Sequence, residues 1–548
     1  MKLLDRSLPI AILLTVAPLA SALDEQGEDD FVISASAGLT DHTLAEVASA
    51  PEIGTYLVVW HASTTGFGGA TQALKARLYD AETRSPITAE FTVATLTEHE
   101  SHDVAYSSAQ QEYMVVWTQG SKIHSERIGA SIGDLRFSSI LHVPSFAGDP
   151  EELSIAYAEG QDKFLLAWHQ PLALPLANGD EIHGGLIDGA TSVHGAIQTF
   201  SSDEELDVDS RSIRADIAYN STEELFVIVW QTNRIQGGSA QGAWKIWGRR
   251  VDAATGELIG DDIYLLKDLV SGESSMRKPR IAYNPANDEY LVTYIVSLSH
   301  VFGTWLEGND LGYVTTQDSL NEVASSVAVV ADTRHGGFLV GWTGANAQDV
   351  REVYVARAGD SEDGFLGLGE QISEAEGADP SVPGAKEIAL TFDHETVDFL
   401  AVWNAEQTGA DVKSNVFGQF WTAYPTELEA TETVRAGSNP EGFSPGQTTG
   451  PVLAKTWDPA VDLALDDLAG VMLLGFAATD LTVAGITGAL LCEPSNLTPI
   501  LADDQGGFAV PIPELAALIG SGMCTQAFRI TATEIVAQNA IDLVLGTF

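Results

Sequence analysis

One phrase recurs seven times along this chain and limits what it can fold into. It reads Tyr56-Leu57-Val58-Val59-Trp60, then Tyr113 to Trp117, Phe164 to Trp168, Phe226 to Trp230, Tyr290 to Tyr294, Phe338 to Trp342 and Phe399 to Trp403. The copies lie about 57 residues apart, a spacing typical of propellers and repeat arrays. Successive side chains of a strand point to opposite faces, so Tyr56, Val58 and Trp60 face one way and Leu57 and Val59 the other. Both sets are apolar. Such a strand must be covered on both faces.

Each copy is one member of a longer unit. A Val-Ala or Ile-Ala piece precedes it, as in Ile155-Ala156-Tyr157, Ile217-Ala218-Tyr219 and Ile281-Ala282-Tyr283. Val327-Ala328-Val329 and Ile388-Ala389-Leu390 read as the same piece in the sixth and seventh units. A polar link such as Asn284-Pro285-Ala286-Asn287-Asp288 joins the two by a turn. A third strand follows a longer polar loop, as in Ile246 to Asp252, and a Thr255-Gly256 turn leads to a fourth. Seven four-stranded sheets closing in a ring leave no bare apolar face, whereas an open stack needs polar caps. The expected fold is all-β: a seven-bladed β-propeller over residues 31–422. Phe31-Val32-Ile33-Ser34 resembles a fourth strand but precedes the first unit, so it is expected to complete the seventh blade. Glu432 to Val434 is the competing choice.

The ends of the chain read differently. Residues 1–22, with Lys2 and Arg6, an apolar run from Leu8 to Leu19 and Ala20-Ser21-Ala22, read as a secretory signal peptide. No segment is long and apolar enough for a membrane span. Residues 436–451 are rich in Gly, Ser, Pro and Thr, and 423–457 reads as a linker. Residues 458–548 read as a small β-sandwich-like domain. The two cysteines, Cys492 and Cys524, are expected to be bridged in an exported protein. The chain carries 77 acidic and 27 basic residues, a formal charge of −50. That field repels nucleic acid and anionic membranes.

The Ala-Tyr-Asn piece, polar turn, Trp-ended phrase, Gly248-Arg249-Arg250-Val251-Asp252 and the Thr-Gly turn together resemble uncharacterised secreted bacterial propeller proteins. The resemblance covers nearly all of residues 31–422 and its motifs are structural. Residues 458–548 resemble a small all-β domain at the C-termini of secreted bacterial proteins. That resemblance rests on the Cys492 strand, Asp504 to Phe508, Pro511-Ile512-Pro513, Gln526-Ala527-Phe528 and Asn539 to Gly546. It implies an accessory or surface-associated role and no known catalysis. Quinoprotein propellers share the Thr-Gly turn but follow it with a Trp, where Leu258 and Ile259 stand here. The Asp-box of sialidases is absent.

Long polar loops after each Trp are where binding is expected. The candidate ligand-binding residues are His61, Phe67, His169, Gln231, Asn233, Trp244 and Asn404. His61, His169, Gln231 and Asn404 each follow a repeat Trp and read as a variable rim. Asp203, Glu205, Asp207 and Asp209 concentrate hard oxygen ligands suited to Ca²⁺, though without the glycine turn of an EF-hand. His99-Glu100-Ser101-His102-Asp103 is the one tight His/acid cluster, in a loop context unlike helical zinc hydrolases. The expected function is a secreted or cell-surface scaffold binding a glycan or protein ligand. The alternative is a glycan-cleaving hydrolase or lyase, which requires acids from separate blades to converge on the channel.

Overall fold

In the computed structural model the chain forms two compact units, residues 25–423 and a unit made chiefly of residues 424–548. The structure describes residues 24–544 apart from connecting segments. The longest of these are 65–70, 142–147, 172–178, 202–210, 234–242, 265–274, 374–384, 407–413, 423–430, 447–455 and 512–521. Among the described residues, no helix is long and apolar enough to cross a membrane.

The larger unit is a β-propeller. Its described residues form seven four-stranded antiparallel sheets. We number them in chain order as blades 1 to 7. Their inner strands are Thr40–Ala50, His102–Ser107, Glu151–Ala158, Ser212–Asn220, Met276–Asn284, Ser326–Asp332 and Glu387–Asp393. Consecutive inner strands pack side by side, and that of blade 7 packs on that of blade 1, so the ring is closed. The Trp-ended phrase is the second strand of every blade. Tyr56, Val58 and Trp60 cluster with Leu400 and Val402 of blade 7. Leu57 and Val59 cluster with Tyr113, Val115 and Trp117 of blade 2. The two-faced strand therefore fills two interfaces at once. Trp60, Trp168, Trp230, Trp342 and Trp403 are all fully buried.

The N-terminal segment closes the ring. Asp24–Val32 is the outer strand of blade 7, against Ser414–Thr422. Just beyond it, the Ile33 amide donates to the Val416 carbonyl at 2.9 Å. Val416 N–H donates to Ser34 Oγ at 2.8 Å, and Phe31 stacks on Phe420. Gly418 makes room for this strand: a Cβ there would stand 2.8 Å from Ile33 Cδ1. On the axis side, Ser49 Oγ of blade 1 donates to the Phe392 carbonyl of blade 7 at 2.7 Å.

The competing segment does something else. Thr431–Arg435 is an edge strand of the C-terminal sheet, paired with Ile535–Val544. The stretch 423–457 was expected to be a linker, but it also contributes Phe443 and Trp457 to that unit's core. Its glycine- and proline-rich composition masked a short polar entry into a sheet. The Trp457 indole N–H donates to Glu432 Oε1 at 2.7 Å.

The C-terminal unit is all-β. Its six-stranded sheet includes Ala469–Gly475, Gly522–Ile530 and Ile535–Val544. Two-stranded ladders bring Phe443, Val461 and Val510 over Met472, Ala527 and Ile541 of the sheet. Cys492, in one ladder, is bonded to Cys524 in the sheet, with Cα atoms 5.5 Å apart and a sequence separation of 32. Closing a loop of this length removes unfolded-state entropy worth about 4 kcal/mol. Reduction, or the double change Cys492→Ser with Cys524→Ser, should lower the stability of this unit by that amount. The propeller transition seen by calorimetry should stay in place.

Candidate functional site

The inner strands carry an unpaired edge toward the axis, and the sequence places ionisable groups there. The residue paired with the position before each repeat Trp or Tyr is structurally equivalent in all blades. These residues are Glu46, Asp103, Ser154, Asp216, Arg280, Ala328 and Ala389. In blades 6 and 7 the Val-Ala and Ile-Ala pieces therefore sit two residues away from the register read in the sequence. Shifting by two keeps every side chain on the same face, so the apolar pattern does not distinguish the two registers.

Four blades add a second tier. The inner strands of blades 1, 3, 4 and 5 each carry a β-bulge immediately before this position. At each bulge a non-glycine residue is left-handed: Leu44 (φ 53°), Glu152 (49°), Arg214 (59°) and Lys278 (53°). Each such residue costs about 1–2 kcal/mol. Bulges re-aim side chains, and here they recur at one place in the ring. Glu387 stands two residues before Ala389 at the same level of blade 7.

Carboxylates stitch one blade to the next. Asp103 accepts hydrogen bonds from Ile155 N–H of blade 3 at 2.8 Å and from Val104 N–H at 2.7 Å. Asp216 accepts from Ile281 N–H of blade 5 at 2.8 Å. Arg280 reaches Asp216 at 3.4 Å, and Arg214 pairs with Glu152 at 3.0 Å. Groups on non-adjacent blades feel one another, which puts them around a common space. Burial raises Glu46 well above the usual glutamate range, and the Asp103 charge adds to this; Arg280, Glu387 and Asp216 also act on it. Burial pushes Asp103 up to about 7, against the two backbone hydrogen bonds that favour its charged form, and Asp216 adds to the rise. Glu152 and Glu387 are also raised by burial. Burial opposes the charge on Arg280, but Asp216, Glu46 and Asp103 outweigh it and hold the guanidinium charged. Burial, followed by Arg214, lowers Lys278.

The raised Asp103 fixes the sign of a pH effect. Its folded pKa exceeds the unfolded 3.8, so its contribution is complete below 3.8 and is lost as pH rises through about 7. His42, His61, His102, His124, His169 and His183, all lowered by burial, act the opposite way as pH crosses their unfolded 6.5. The carboxyl is therefore read from the difference between two proteins. As pH rises from 3.8 through about 7, the melting temperature of the wild type should fall relative to that of Asp103→Asn. Equal slopes in the two proteins would remove Asp103 as the cause.

Four of the residues expected to form a binding rim stand in the second strands, next to the axial ones. His61, His169, Gln231 and Asn404 are inside the second-strand ladders, not in loops. His169, Gln231 and Asn404 are buried, and His61 is half-buried. Ladder pairing continued past each Trp because the first residues after it still match inner-strand partners. Gln231 Oε1 accepts from the Lys278 amide at 2.7 Å and so holds the blade 5 bulge. His169 lies 3.4 Å from Glu152, with its ring neutral through burial and the charges of Arg211 and Arg214. Asn233 Oδ1 accepts from the Arg211 amide at 2.7 Å. The Trp244 carbonyl accepts from the Met276 amide, and Trp244 is half-buried. Phe67, Asp203, Glu205, Asp207 and Asp209 lie outside the described residues, as do His99 and Glu100. Among the described residues no group of three or more His, Cys, Asp or Glu is arranged to hold a metal ion. His102 is fully enclosed, with its Nε2 3.4 Å from the Val59 carbonyl.

No protein-family model matches the chain, and no curated protein matches it. Solved structures similar to it include two propellers and a glycosidase. The Dos1 propeller aligns with 73% of this chain and 95% of its own, at 9% identity and a TM-score of 0.41. The β-propeller domain of the Trilobed protease from Pyrococcus furiosus, described as having an open velcro topology, aligns with 62% of this chain and 97% of its own, at 9% identity and a TM-score of 0.34. A GH43 β-1,3-galactosidase solved with galactodeoxynojirimycin aligns with 52% of this chain and 91% of its own, at 12% identity and a TM-score of 0.31.

Proposed function

We propose that this is an exported ligand-binding propeller whose seat is the axial cluster, taking a glycan or protein ligand. One observation carries the reading. Glu46, Asp103, Asp216 and Arg280 hold the same register position on the inner strands of four blades, and Glu387 stands two residues ahead of it on a fifth. Holding them there costs desolvation and four strained backbone positions, a pattern that favours functional sites. The bridged cysteines support export, because such bonds persist in oxidising compartments. In the test, the purified chain is screened against glycan and peptide arrays, and hits are titrated with Arg280→Met and Glu46→Gln. A loss of about tenfold or more in affinity is expected, equivalent to about 1.4 kcal/mol. Unchanged titrations would move the seat away from the axis.

A second reading has its own support. Carboxyls kept protonated near neutrality beside an ionisable partner suit general acid catalysis. Glu46 and Asp103, both raised by burial, would fill that role in a glycan-cleaving hydrolase or lyase. In that case Glu46→Gln abolishes product release from a bound oligosaccharide while binding persists. Binding of intact saccharide with no cleavage by the wild-type chain would leave the first reading alone.

A further inference from the structure

We infer that the mouth of the axis receives an anionic group of a saccharide, a carboxylate or a sulfate ester, between Arg214, Lys278 and Arg280. This rests on the axial reading above and names the ligand class for it. Acidic side chains on the axis are unremarkable in a chain with 77 of them, but cations are not. Only 27 Lys and Arg serve 548 residues, yet blades 4 and 5 place three at the axis within two adjacent inner strands.

Those cations are crowded and only partly spent. Lys278 feels Arg214 and Arg280 as like charges and Glu387 and Glu152 as opposite ones, and its ammonium donates to the Ser325 carbonyl. Arg214 uses Nε on Glu152 and Arg280 uses Nη1 on Asp216. Their side chains remain 36% and 39% exposed, so part of each guanidinium is still accessible. A guanidinium presents five donors in a fork that suits oxyanions. An anion placed between the three relieves their repulsion. The bulges at Arg214 and Lys278 hold both side chains in the tier nearer the strand starts, ahead of Asp216 and Arg280. The two tiers present no aromatic side chain, and Leu44 is the one large apolar residue in them. A protein partner needs apolar anchors at its centre, whereas a polyhydroxylated ligand matches a polar recess.

The test titrates the full chain with matched neutral, uronate-containing and sulfated oligosaccharides, and with an acidic peptide, at low and at high salt. Arg214→Gln, Lys278→Met and Glu46→Gln are compared with the wild type, with Lys278→Arg as the conservative control. The expected result is binding of a uronate or sulfated ligand that weakens with salt. Arg214→Gln and Lys278→Met should each reduce it about tenfold or more, and Lys278→Arg should retain it. The arm that binds identifies the anion. Equal binding of neutral saccharides that only Glu46→Gln weakens would overturn this inference and keep the axial seat. Indifference to all three variants would overturn both. Binding of the acidic peptide alone, or of nothing, would also overturn it.

Discussion

Trp230→Ala should cost the propeller about 3–5 kcal/mol, the largest single-residue loss expected in this chain. The indole is 1% exposed and packs with Leu165 and Ala167 of the preceding blade as well as with Ile228 of its own. Truncation removes contacts from two sheets at once. The blades are fixed by the closed ring, so they cannot collapse into the space. Chemical unfolding followed by far-ultraviolet circular dichroism reads the loss without relying on the deleted fluorophore. Trp230→Tyr should cost much less, because blade 5 already places Tyr294 at the equivalent position, where it is fully buried and its hydroxyl lies 3.0 Å from Thr304 Oγ1. An alanine variant as stable as the parent would mean that the indole does not wedge the sheets.

The same wedge explains how much of the fold was legible in the sequence. A strand apolar on both faces has few ways to be buried, and its recurrence fixed the ring and the second strand of each blade. The N-terminal strand was readable because a fourth-strand pattern stood where no unit preceded it. The site was less readable for three physical reasons. Asp103 and Arg280 each precede a Val-Ala or Ile-Ala pair in the repeats, so a signal was present one residue upstream of the strand that drew attention. It stayed hidden because convergence across blades leaves no local motif. Leu44, Glu152, Arg214 and Lys278 depend on bulges, which apolar periodicity does not reveal. His169 and Gln231 looked like loop residues because polarity after a Trp suggests exposure. In this ring they instead supply contacts to inner-strand backbone and side chains.

Ring closure supplies the second large effect. Asp398, at the start of the second strand of blade 7, is fully buried. Arg84, in the turn before the fourth strand of blade 1, brings Nε to 2.9 Å and Nη2 to 2.7 Å from its Oδ2. This pair joins the last blade to the first across 314 residues of sequence, outside the strand that the N-terminus contributes. Removing one partner of such a pair leaves a charge in a site built for its counterion, which typically costs about 3–5 kcal/mol. Arg84 is 27% exposed on its side chain, so solvent recovers part of that and the lower end is expected. Arg84→Met should therefore destabilise the propeller by about 3 kcal/mol, and Arg84→Met with Asp398→Asn by less than either effect summed. The local signature separates closure from general weakening. Hydrogen exchange should rise first in Asp24–Val32 and Ser414–Thr422, the strands that complete blade 7, ahead of blades 3 to 5. Uniform exchange around the ring would show that the pair adds stability without holding the seam.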